Sequence, residues 1–389
     1  MASPLLGPGT FLDDRQQDVL RGAIVAEHEA ILALPTDDPL DPKRRRRVDA
    51  TLGEMTAQPA AVRATWARNA ATLADVAARI ARRGVERACL VGAGDSLAVM
   101  LAARLALEEM LGVPCEPVQS LEFAYYAAPL VTPGTLVVAL SSSGETTRTV
   151  EAALVAQHRG AMTLAITNTP GSTLDRECEE TLLVDATRVG WPTQSSTAAL
   201  ALLLRLAGEI GAFRSAPGAR ELLAELDEIP DAMARALELA GPFAEDLAAR
   251  EVARRMYLFS GGGPNWASAV IGAANVKECT PDHALAIQVE EYHHYNSQKA
   301  GEPLVLLAPA GPSLPRARDT AAEGRRFGGS VYAVTSEGED GLRDVADRVL
   351  HLPVVREALT PLLHVLPAQW VGYALAVAKF TAAEVGGDG

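Results

Sequence analysis

Short apolar runs alternate with longer helical patterns along most of this chain of 389 residues. Residues 88–91, 135–140 and 162–166 favour strands, whereas residues 97–111 and 147–158 have apolar side chains three and four positions apart. Parallel strands need crossover connections of ten or more residues, and these helical segments are long enough to supply them. The pattern therefore predicts an α/β fold in which helices cover a parallel sheet.

The same order of elements recurs in the second half of the chain. Residues 256–259 form an apolar run, three consecutive glycines follow it, and residues 265–279 have a helical pattern. Further strands are predicted at residues 304–307, 330–334 and 348–352, and a last helix at residues 361–379. The recurrence predicts two tandem domains of one architecture, which an old duplication would explain.

The length of the chain also favours two globular domains, because a single compact core rarely grows to this size. A helical pattern precedes the first predicted strand, with a break at the Pro/Asp-rich residues 35–42. The predicted organisation is a helical N-terminal extension at residues 1–54, a first domain at residues 55–214 and a second domain at residues 215–389.

Composition restricts the partners of this protein. The formal net charge of −14 opposes a general affinity for nucleic acid. The exception is the sequence KRRRR at residues 43–47. A short basic run in an acidic protein could bind a polyanion, but it is more often a solvated helix face or a linker. We therefore predict no nucleic-acid partner.

Neither a membrane location nor a metal site is indicated. The sequence has no uncharged apolar run of about 18 residues and does not begin with a basic stretch and an apolar stretch of secretory type. The cysteines are scattered without paired spacing, at Cys89, Cys115, Cys178 and Cys279. We expect a cytoplasmic protein with no membrane partner, no metal and no cofactor.

Two loops at predicted strand ends suit a phosphate group. One reads SSSGET at residues 141–146, where a strand ends and a helix begins; it supplies the hydroxyl groups of Ser141, Ser142, Ser143 and Thr146. The other contains Gly94, Asp95 and Ser96 after the first strand. Helix N-termini attract anions, and parallel sheets bind ligands beyond the carboxyl ends of their strands. Taken alone, such a loop is also an ordinary capping turn.

These motifs resemble the SIS (sugar isomerase) domain family, most closely the isomerase half of glutamine:fructose-6-phosphate amidotransferase. The family's phosphate loop, Ser-x-Ser-Gly-Glu-Thr, matches residues 141–146, and its Gln-Pro helix matches Gln58-Pro59. Its Gly-Thr-Ser loop becomes Gly94-Asp95-Ser96, where a carboxylate would repel a phosphate unless it points away. The resemblance implies two tandem SIS domains, each a three-layer α/β/α sandwich around a parallel sheet, from about residue 55 onward.

Two residues of the second half inherit catalytic roles from this resemblance. The family's Lys-Glu pair falls on Lys277-Glu278, and its later histidine falls on His294. In the family the glutamate moves a proton between C1 and C2, whereas the histidine opens the sugar ring and comes from the partner subunit of a homodimer with a shared active site. Without the resemblance, both would be interpreted as solvated surface residues.

Departures from the family restrict the predicted activity. No glutaminase domain is expected before the first helices, and the family's C-terminal lysine, which forms an imine with a ketose, has no counterpart. Asn275 replaces a lysine close to the base, and Trp191 and Thr193 lie in a loop that has smaller residues in the family. Trp191 could stack on a sugar or serve as a packing lid. We expect a rebuilt sugar pocket that includes Trp191 and Thr193.

Three functions remain open at this level. The first is a cofactor-free isomerase or deaminase of a phosphorylated sugar or amino sugar. The second is a deglycase that acts on a sugar phosphate joined to the nitrogen of an amino acid, which needs no enzyme lysine. The third is a regulator that binds a sugar phosphate without catalysis, since SIS folds also serve as ligand-binding modules. The retained Glu278 and His294 favour an enzyme.

Overall fold

The computed structural model describes residue 6 and residues 11–33, 42–295 and 297–386. Nearly all of the break predicted at residues 35–42 therefore lies outside the described residues. The chain divides into two compact units. The first contains the described parts of Met1–Asp37 together with Ala64–Ala186 and Leu202–Leu223, and the second contains those of Asp38–Arg63, Thr187–Ala201 and Ala224–Gly389.

The sheet of the first unit has five parallel strands. They are β1 (Arg87–Gly92), β2 (Cys115–Gln119), β3 (Thr135–Leu140), β4 (Met162–Thr167) and β5 (Glu180–Leu183). Their order is β2-β1-β3-β4-β5. Strand β2 is added on one side of β1 and β3 on the other, so the direction in which the chain crosses the sheet reverses between β1 and β3. Every residue of β3 and β4 is buried, as expected for central strands that helices cover on both faces.

The helices of the first half are α1 (Asp14–Leu32), α2 (Pro42–Thr56), α3 (Gln58–Asn69), α4 (Leu73–Arg82), α5 (Asp95–Leu111), α6 (Ser120–Glu122), α7 (Thr147–His158), α8 (Thr173–Glu177) and α9 (Gln194–Arg214). A capping box between Asp13 and Gln16 begins α1. Leu20 of α1 is fully buried in one cluster with Val150 and Leu154 of α7. This contact stabilises α1 within the first unit.

The second unit repeats the strand order of the first. Its strands are β6 (Met256–Gly261), β7 (His283–Gln288), β8 (Pro303–Leu307), β9 (Ser330–Ser336) and β10 (Arg348–Leu352). The order is β10-β9-β8-β6-β7, with all neighbours parallel, and the reversal falls between β6 and β8. Two parallel five-stranded sheets with many helices confirm the predicted α/β class and agree with an SIS fold.

Among the described residues, four α-helices follow α9: α10 (Ala219–Glu251), α11 (Asn265–Cys279), α12 (Leu314–Arg326) and α13 (Thr360–Gly386). The helices α11 and α13 pack closely, and Gly372 of α13 lies directly against Asn275 of α11. Val48 of α2 is buried in one cluster with Cys279 of α11 and Phe380 of α13. The helix α2 is therefore part of the core of the second unit.

Within the described ranges, two segments are long and apolar enough to cross a membrane by length and composition alone, Gln194–Arg214 and Glu357–Glu384. In each of them 78% of the most apolar window is buried within the protein. Core helices of globular proteins have the same composition and the same burial.

Candidate functional site

The loop after β1 begins the helix α5. Gly94 is the N-cap residue, with φ of 58° and ψ of −131°, a conformation that side-chain-bearing residues rarely adopt. Asp95 is the first residue of α5, and the amide of Ser96 donates to the carbonyl oxygen of Ala93 at 3.2 Å. The positive end of the helix dipole stabilises the Asp95 carboxylate. An acidic residue thus occupies the position where the sequence predicted a phosphate contact.

Residues 141–146 form the turn between β3 and α7. Ser141 Oγ lies 2.8 Å from Thr146 Oγ1 and accepts a hydrogen bond from the Gly144 amide at 3.1 Å. Ser143 Oγ accepts from the Glu145 amide at 3.2 Å. Thr146 is the N-cap of α7 but donates or accepts no side-chain capping bond among the described residues. The turn thus presents hydroxyl groups beside a helix N-terminus, which favours an anion.

Neighbouring segments fix the position of this turn. The carbonyl oxygen of Ser142 accepts from the Asn168 amide at 3.1 Å and from the Thr167 hydroxyl at 3.2 Å. Gly144 has φ of 67°, and a Cβ atom at this position would lie 2.0 Å from Ser172 Oγ. Only glycine fits here without displacing Ser172.

The two predicted phosphate loops are neighbours in the first unit. They follow the paired strands β1 and β3. Val91 of β1 lies opposite Ala139 of β3, and each is the next-to-last residue of its strand. The chain reverses direction between these two strands, and open parallel sheets bind ligands at such a point. The structure therefore brings together Gly94, Asp95, Ser96, Ser141, Ser142, Ser143 and Thr146.

Glu278 lies in the last turn of α11, which ends before Thr280-Pro281 because proline cannot continue the helix. Its Oε2 atom is buried and has no hydrogen-bond partner among the described residues. Burial raises the pKa of Glu278, and the positive charges of Arg47 and Lys277 oppose this increase. A carboxyl group with a raised pKa and an unused oxygen is suited to proton transfer.

Arg47 and Trp191 form a stacked pair in the second unit. The guanidinium carbon of Arg47 lies 3.7 Å from the centre of the Trp191 ring, and Nη2 donates to the Gly190 carbonyl oxygen at 3.0 Å. Trp191 also packs against the cluster that contains Cys279, the residue after Glu278. One face of the ring is thus covered by Arg47, and Trp191 Nε1 is buried without a partner among the described residues.

The helix α2 holds the loop that carries Trp191. Glu54 Oε1 accepts from the Thr187 hydroxyl at 2.6 Å and the Val189 amide at 2.8 Å, and Oε2 accepts from the Gly190 amide at 2.9 Å. The Trp191 amide donates to Thr51 Oγ1 at 2.9 Å. Glu54 and Thr51 are both buried, so these bonds fix the loop in a water-poor environment.

Several polar side chains are buried in the second unit. Gln58 is fully buried; its Nε2 donates to Gln369 Oε1 at 2.9 Å, and its Oε1 accepts from the Thr197 hydroxyl. Thr193 is 2% exposed, and its Oγ1 has no partner among the described residues. Both side-chain polar atoms of Asn275 are also buried without a partner in the described part of the chain. Buried polar atoms of this kind commonly contact a ligand or ordered water.

His294 has an exposed side chain. Its Nε2 atom lies 3.2 Å from Glu290 Oε1, and both side chains are about 60% exposed. The preceding His293 is 9% exposed and is held between Glu323 and Thr320, so it has a structural environment. Among the described residues His294 makes no hydrogen bond to Glu278. The ring-opening role of His294 remains a prediction.

The basic run at residues 43–47 contributes Arg47 to the surroundings of Trp191. The sequence did not indicate this contact. The sequence favours a solvated face or a linker for this run, whereas Arg47 lies against Trp191. Glu54 was also missed. The only signal in the sequence was its spacing. Glu54 lies three residues after Thr51, on the same side of α2, and four residues before Gln58.

In the described part of the chain, no group of three or more His, Cys, Asp or Glu residues is placed to hold a metal ion. The four cysteines are free, and Cys89, Cys115 and Cys279 are buried. Burial raises the pKa of the Cys89 thiol, as is typical of an unreactive core cysteine.

Comparison with known proteins identifies related sequences. The model of the SIS domain family matches residues 83–207. The glutamine–fructose-6-phosphate aminotransferase (isomerizing) of Thermus thermophilus is 32% identical over 302 residues, which cover 76% of this chain and 50% of that protein. The enzyme of that name from Methanothermobacter thermautotrophicus is 33% identical over 298 residues, covering 76% and 49%. This chain thus spans about half the length of the curated relatives it matches.

Solved structures show the same fold. The C-terminal domain of glucosamine-fructose-6-phosphate aminotransferase from Francisella tularensis superposes with a TM-score of 0.76 and 23% identity, covering 84% of this chain and 96% of that one. Glucosamine-6-phosphate deaminase from Thermotoga maritima gives a TM-score of 0.68 at 20% identity, covering 85% and 94%. At these identities the similarity establishes the fold alone.

Proposed function

We propose that this chain is a sugar-phosphate isomerase or deaminase that does not depend on glutamine. It carries an SIS domain and is homologous to the isomerase half of glutamine–fructose-6-phosphate aminotransferase. Its substrate is a phosphorylated sugar or amino sugar. The observation that carries this proposal is the half-buried Glu278 at the end of α11, whose buried Oε2 atom has no hydrogen-bond partner among the described residues.

In this proposal Glu278 is the general base. It removes a proton from C1 or C2 of the open-chain sugar, which gives an enediol or an enolamine, and returns the proton to the adjacent carbon. Burial supports this role because it raises the pKa of the carboxyl group towards neutral pH, where a group can both accept and return a proton.

The other predicted residues bind the substrate or open its ring. Ser141, Ser142, Ser143 and Thr146 bind the phosphate together with the amides at the start of α7, and Gly94 and Ser96 lie beside them. Trp191 and Thr193 contribute to the sugar pocket, and His294 opens the ring. The exposure of the His294 side chain supports its supply to the active site of a partner subunit in a homodimer.

The organisation of the protein is part of the same proposal. We place two tandem SIS domains of three layers each at residues 55–214 and 215–389, after a helical N-terminal extension at residues 1–54. The repeated strand order of the two sheets supports the duplication. We also propose a cytoplasmic enzyme without metal or organic cofactor.

A proton-exchange experiment tests this function. The protein is incubated in D₂O with fructose 6-phosphate, glucosamine 6-phosphate and a fructosyl-amino-acid 6-phosphate, and NMR follows deuterium at C1 and C2 together with the released amine. Fructose without phosphate is the matched control. We expect exchange on at least one phosphorylated compound and a rate at least about 100-fold lower on fructose, because binding to the phosphate positions the reacting carbons.

The result also separates the alternatives. Exchange without amine release identifies an isomerase, release from glucosamine 6-phosphate identifies a deaminase, and release of an amino acid identifies a deglycase. Tight binding of these compounds without exchange on any of them would contradict the proposed function and indicate a non-catalytic regulator.

A further inference from the structure

The arginines of the basic run differ in what they contact. Arg45 pairs with Asp49 at 3.0 Å and with Glu384 at 3.4 Å, and it lies over the Phe380 ring. Arg47 forms no ion pair with any of the residues that the structure describes. Its side chain makes one hydrogen bond to a described residue, from Nη2 to the Gly190 carbonyl oxygen. The donors Nε and Nη1 of Arg47 therefore have no partner in the described part of the chain and suit a ligand.

The position of Arg47 is fixed before any ligand binds. Its guanidinium carbon lies over the Trp191 ring, 3.7 Å from the ring centre, and Glu54 and Thr51 hold the loop that carries this ring. A stacked guanidinium group keeps its planar set of donors in one orientation. Less conformational entropy is then lost when an anion binds.

Arg47 also acts on the proposed base. Its charge is the largest influence that lowers the pKa of Glu278, ahead of the adjacent Lys277. Val48, which follows Arg47, and Cys279, which follows Glu278, are buried in the same cluster. Arg47 and Glu278 nevertheless do not pair within 4.0 Å. The cation is thus placed in the neighbourhood of Glu278 without being neutralised by it.

We infer that Arg47, held against Trp191, binds a carboxylate on a substituent attached to the reacting end of the substrate. This inference rests on the proposed function and specifies its substrate class. In the proposed function the hydroxyl groups and amides of residues 141–146 bind the phosphate, so the fixed charge of Arg47 is left to recognise a second anion. The planar edge of a guanidinium group matches the two oxygens of a carboxylate. The substrate is therefore a sugar phosphate whose C1 or C2 nitrogen carries a carboxylate-bearing group.

Two stable probes test the carboxylate site by calorimetry. The first is N-(1-deoxyglucitol-1-yl)glycine 6-phosphate, and the second is 1-deoxy-1-methylaminoglucitol 6-phosphate, which lacks only the carboxylate. Neither has a carbonyl group, so neither reacts. We expect wild-type protein to bind the first probe at least about 10-fold more tightly, because a charge-assisted bidentate contact is among the stronger hydrogen-bonded interactions.

Variants of adjacent arginines provide the matched comparison. Arg47→Gln retains an amide donor for the Gly190 carbonyl oxygen but removes the charge, and we expect it to lose the preference for the carboxylate probe. Arg46→Gln removes an exposed charge one residue away and should retain the preference. Arg47→Lys keeps a charge without the planar donors and should retain only part of it. Circular dichroism confirms that each variant is folded.

The possible results distinguish this inference from the proposed function. Equal affinity of wild-type protein for both probes would overturn the carboxylate site and leave the isomerase proposal intact. A preference that persists in Arg47→Gln would overturn the role of Arg47. Failure of wild-type protein to bind either probe would contradict both proposals, because both require a site for the sugar phosphate.

Discussion

At the scale of single residues, opposing influences act on Glu278. Burial raises its pKa, whereas Arg47 and Lys277 lower it. Only the ionised form accepts a proton, so the rate of proton exchange is expected to increase with pH through the pKa of Glu278. The raised pKa also means that ionised Glu278 destabilises the fold as the pH increases above the ordinary range of a glutamate. Such a cost is typical of a functional carboxyl group.

Replacement of Arg47 should change the pH dependence of catalysis. In Arg47→Gln only Lys277 opposes the effect of burial, so the pKa of Glu278 increases further. We expect the acidic limb of the kcat/KM profile for proton exchange to move to higher pH, and Arg46→Gln to leave it in place. A profile of Arg47→Gln that coincides with that of wild type would show that Arg47 does not act on the base.

Two glycines with the same backbone conformation test the loop at residues 141–146. Gly144 and Gly171 have φ of 67° and 72°, but a Cβ atom would contact Ser172 only at Gly144 and would meet open space at Gly171. Both alanine variants bear the cost of a left-handed conformation, about 1–2 kcal/mol. Only Gly144→Ala must displace Ser172, and we expect it to raise the KM for the sugar phosphate at least about 10-fold. Equal KM values in the two variants would argue against a phosphate site in this loop.

At the scale of elements, the sequence predicted the strands and helices that have strong apolar patterns. The helix at residues 265–279 is confirmed with identical bounds, and the central strands agree within two residues at either end. The strands β2 and β7 were missed. Both lie at sheet edges, β2 contains Pro117, and β7 is only partly buried, so neither has a continuous apolar run.

The candidate functional residues were predictable only where a local motif marks them. Residues 141–146 and Glu278 are recognisable because their family motifs are contiguous. The pairing of Arg47 with Trp191 joins positions 144 residues apart, and no periodicity in the sequence specifies such a contact. The interactions of Glu54 with residues 187–190 are equally remote and depend on the packing of α2.

Glu54 provides a test of how α2 organises this loop. In Glu54→Gln one acceptor oxygen becomes an NH₂ group that faces a hydrogen-bond donor. Because Glu54 is 8% exposed, we expect the free energy of unfolding to decrease by about 1–3 kcal/mol in chemical denaturation. Glu245→Gln, at an exposed position on α10, is the control. A change of less than about 0.5 kcal/mol in Glu54→Gln would show that the loop does not depend on this carboxylate.

At the scale of the whole molecule, two sheets with the same strand order suggest a duplicated ancestor. Each sheet has a reversal point beside its first strand, and in the first unit this point coincides with the predicted phosphate loops. The acidic composition, with a net charge of −14, opposes a general affinity for nucleic acid.

Mixed protomers test the proposed sharing of active sites in a homodimer. Glu278→Gln and His294→Gln should each be inactive alone. Random mixing of the two variants makes half of the dimers mixed. If His294 serves the site of its partner, each mixed dimer has one site with both native residues and one site with neither. We therefore expect an activity of about one quarter of wild type. Denatured and refolded mixtures, or co-expressed subunits separated by two tags, provide the material. Mixtures as inactive as the single variants would contradict a shared site.

The most direct test of the central claim is the rate at which Glu278→Gln exchanges the C1 or C2 proton of the best substrate for deuterium. Lys277→Gln is the control, because it removes a neighbouring charge and leaves the base intact. If Glu278 is the base, exchange should fall by about 100- to 10,000-fold in Glu278→Gln while substrate affinity changes little. Exchange by Glu278→Gln within about 10-fold of wild type would contradict the assignment of Glu278 as the catalytic base.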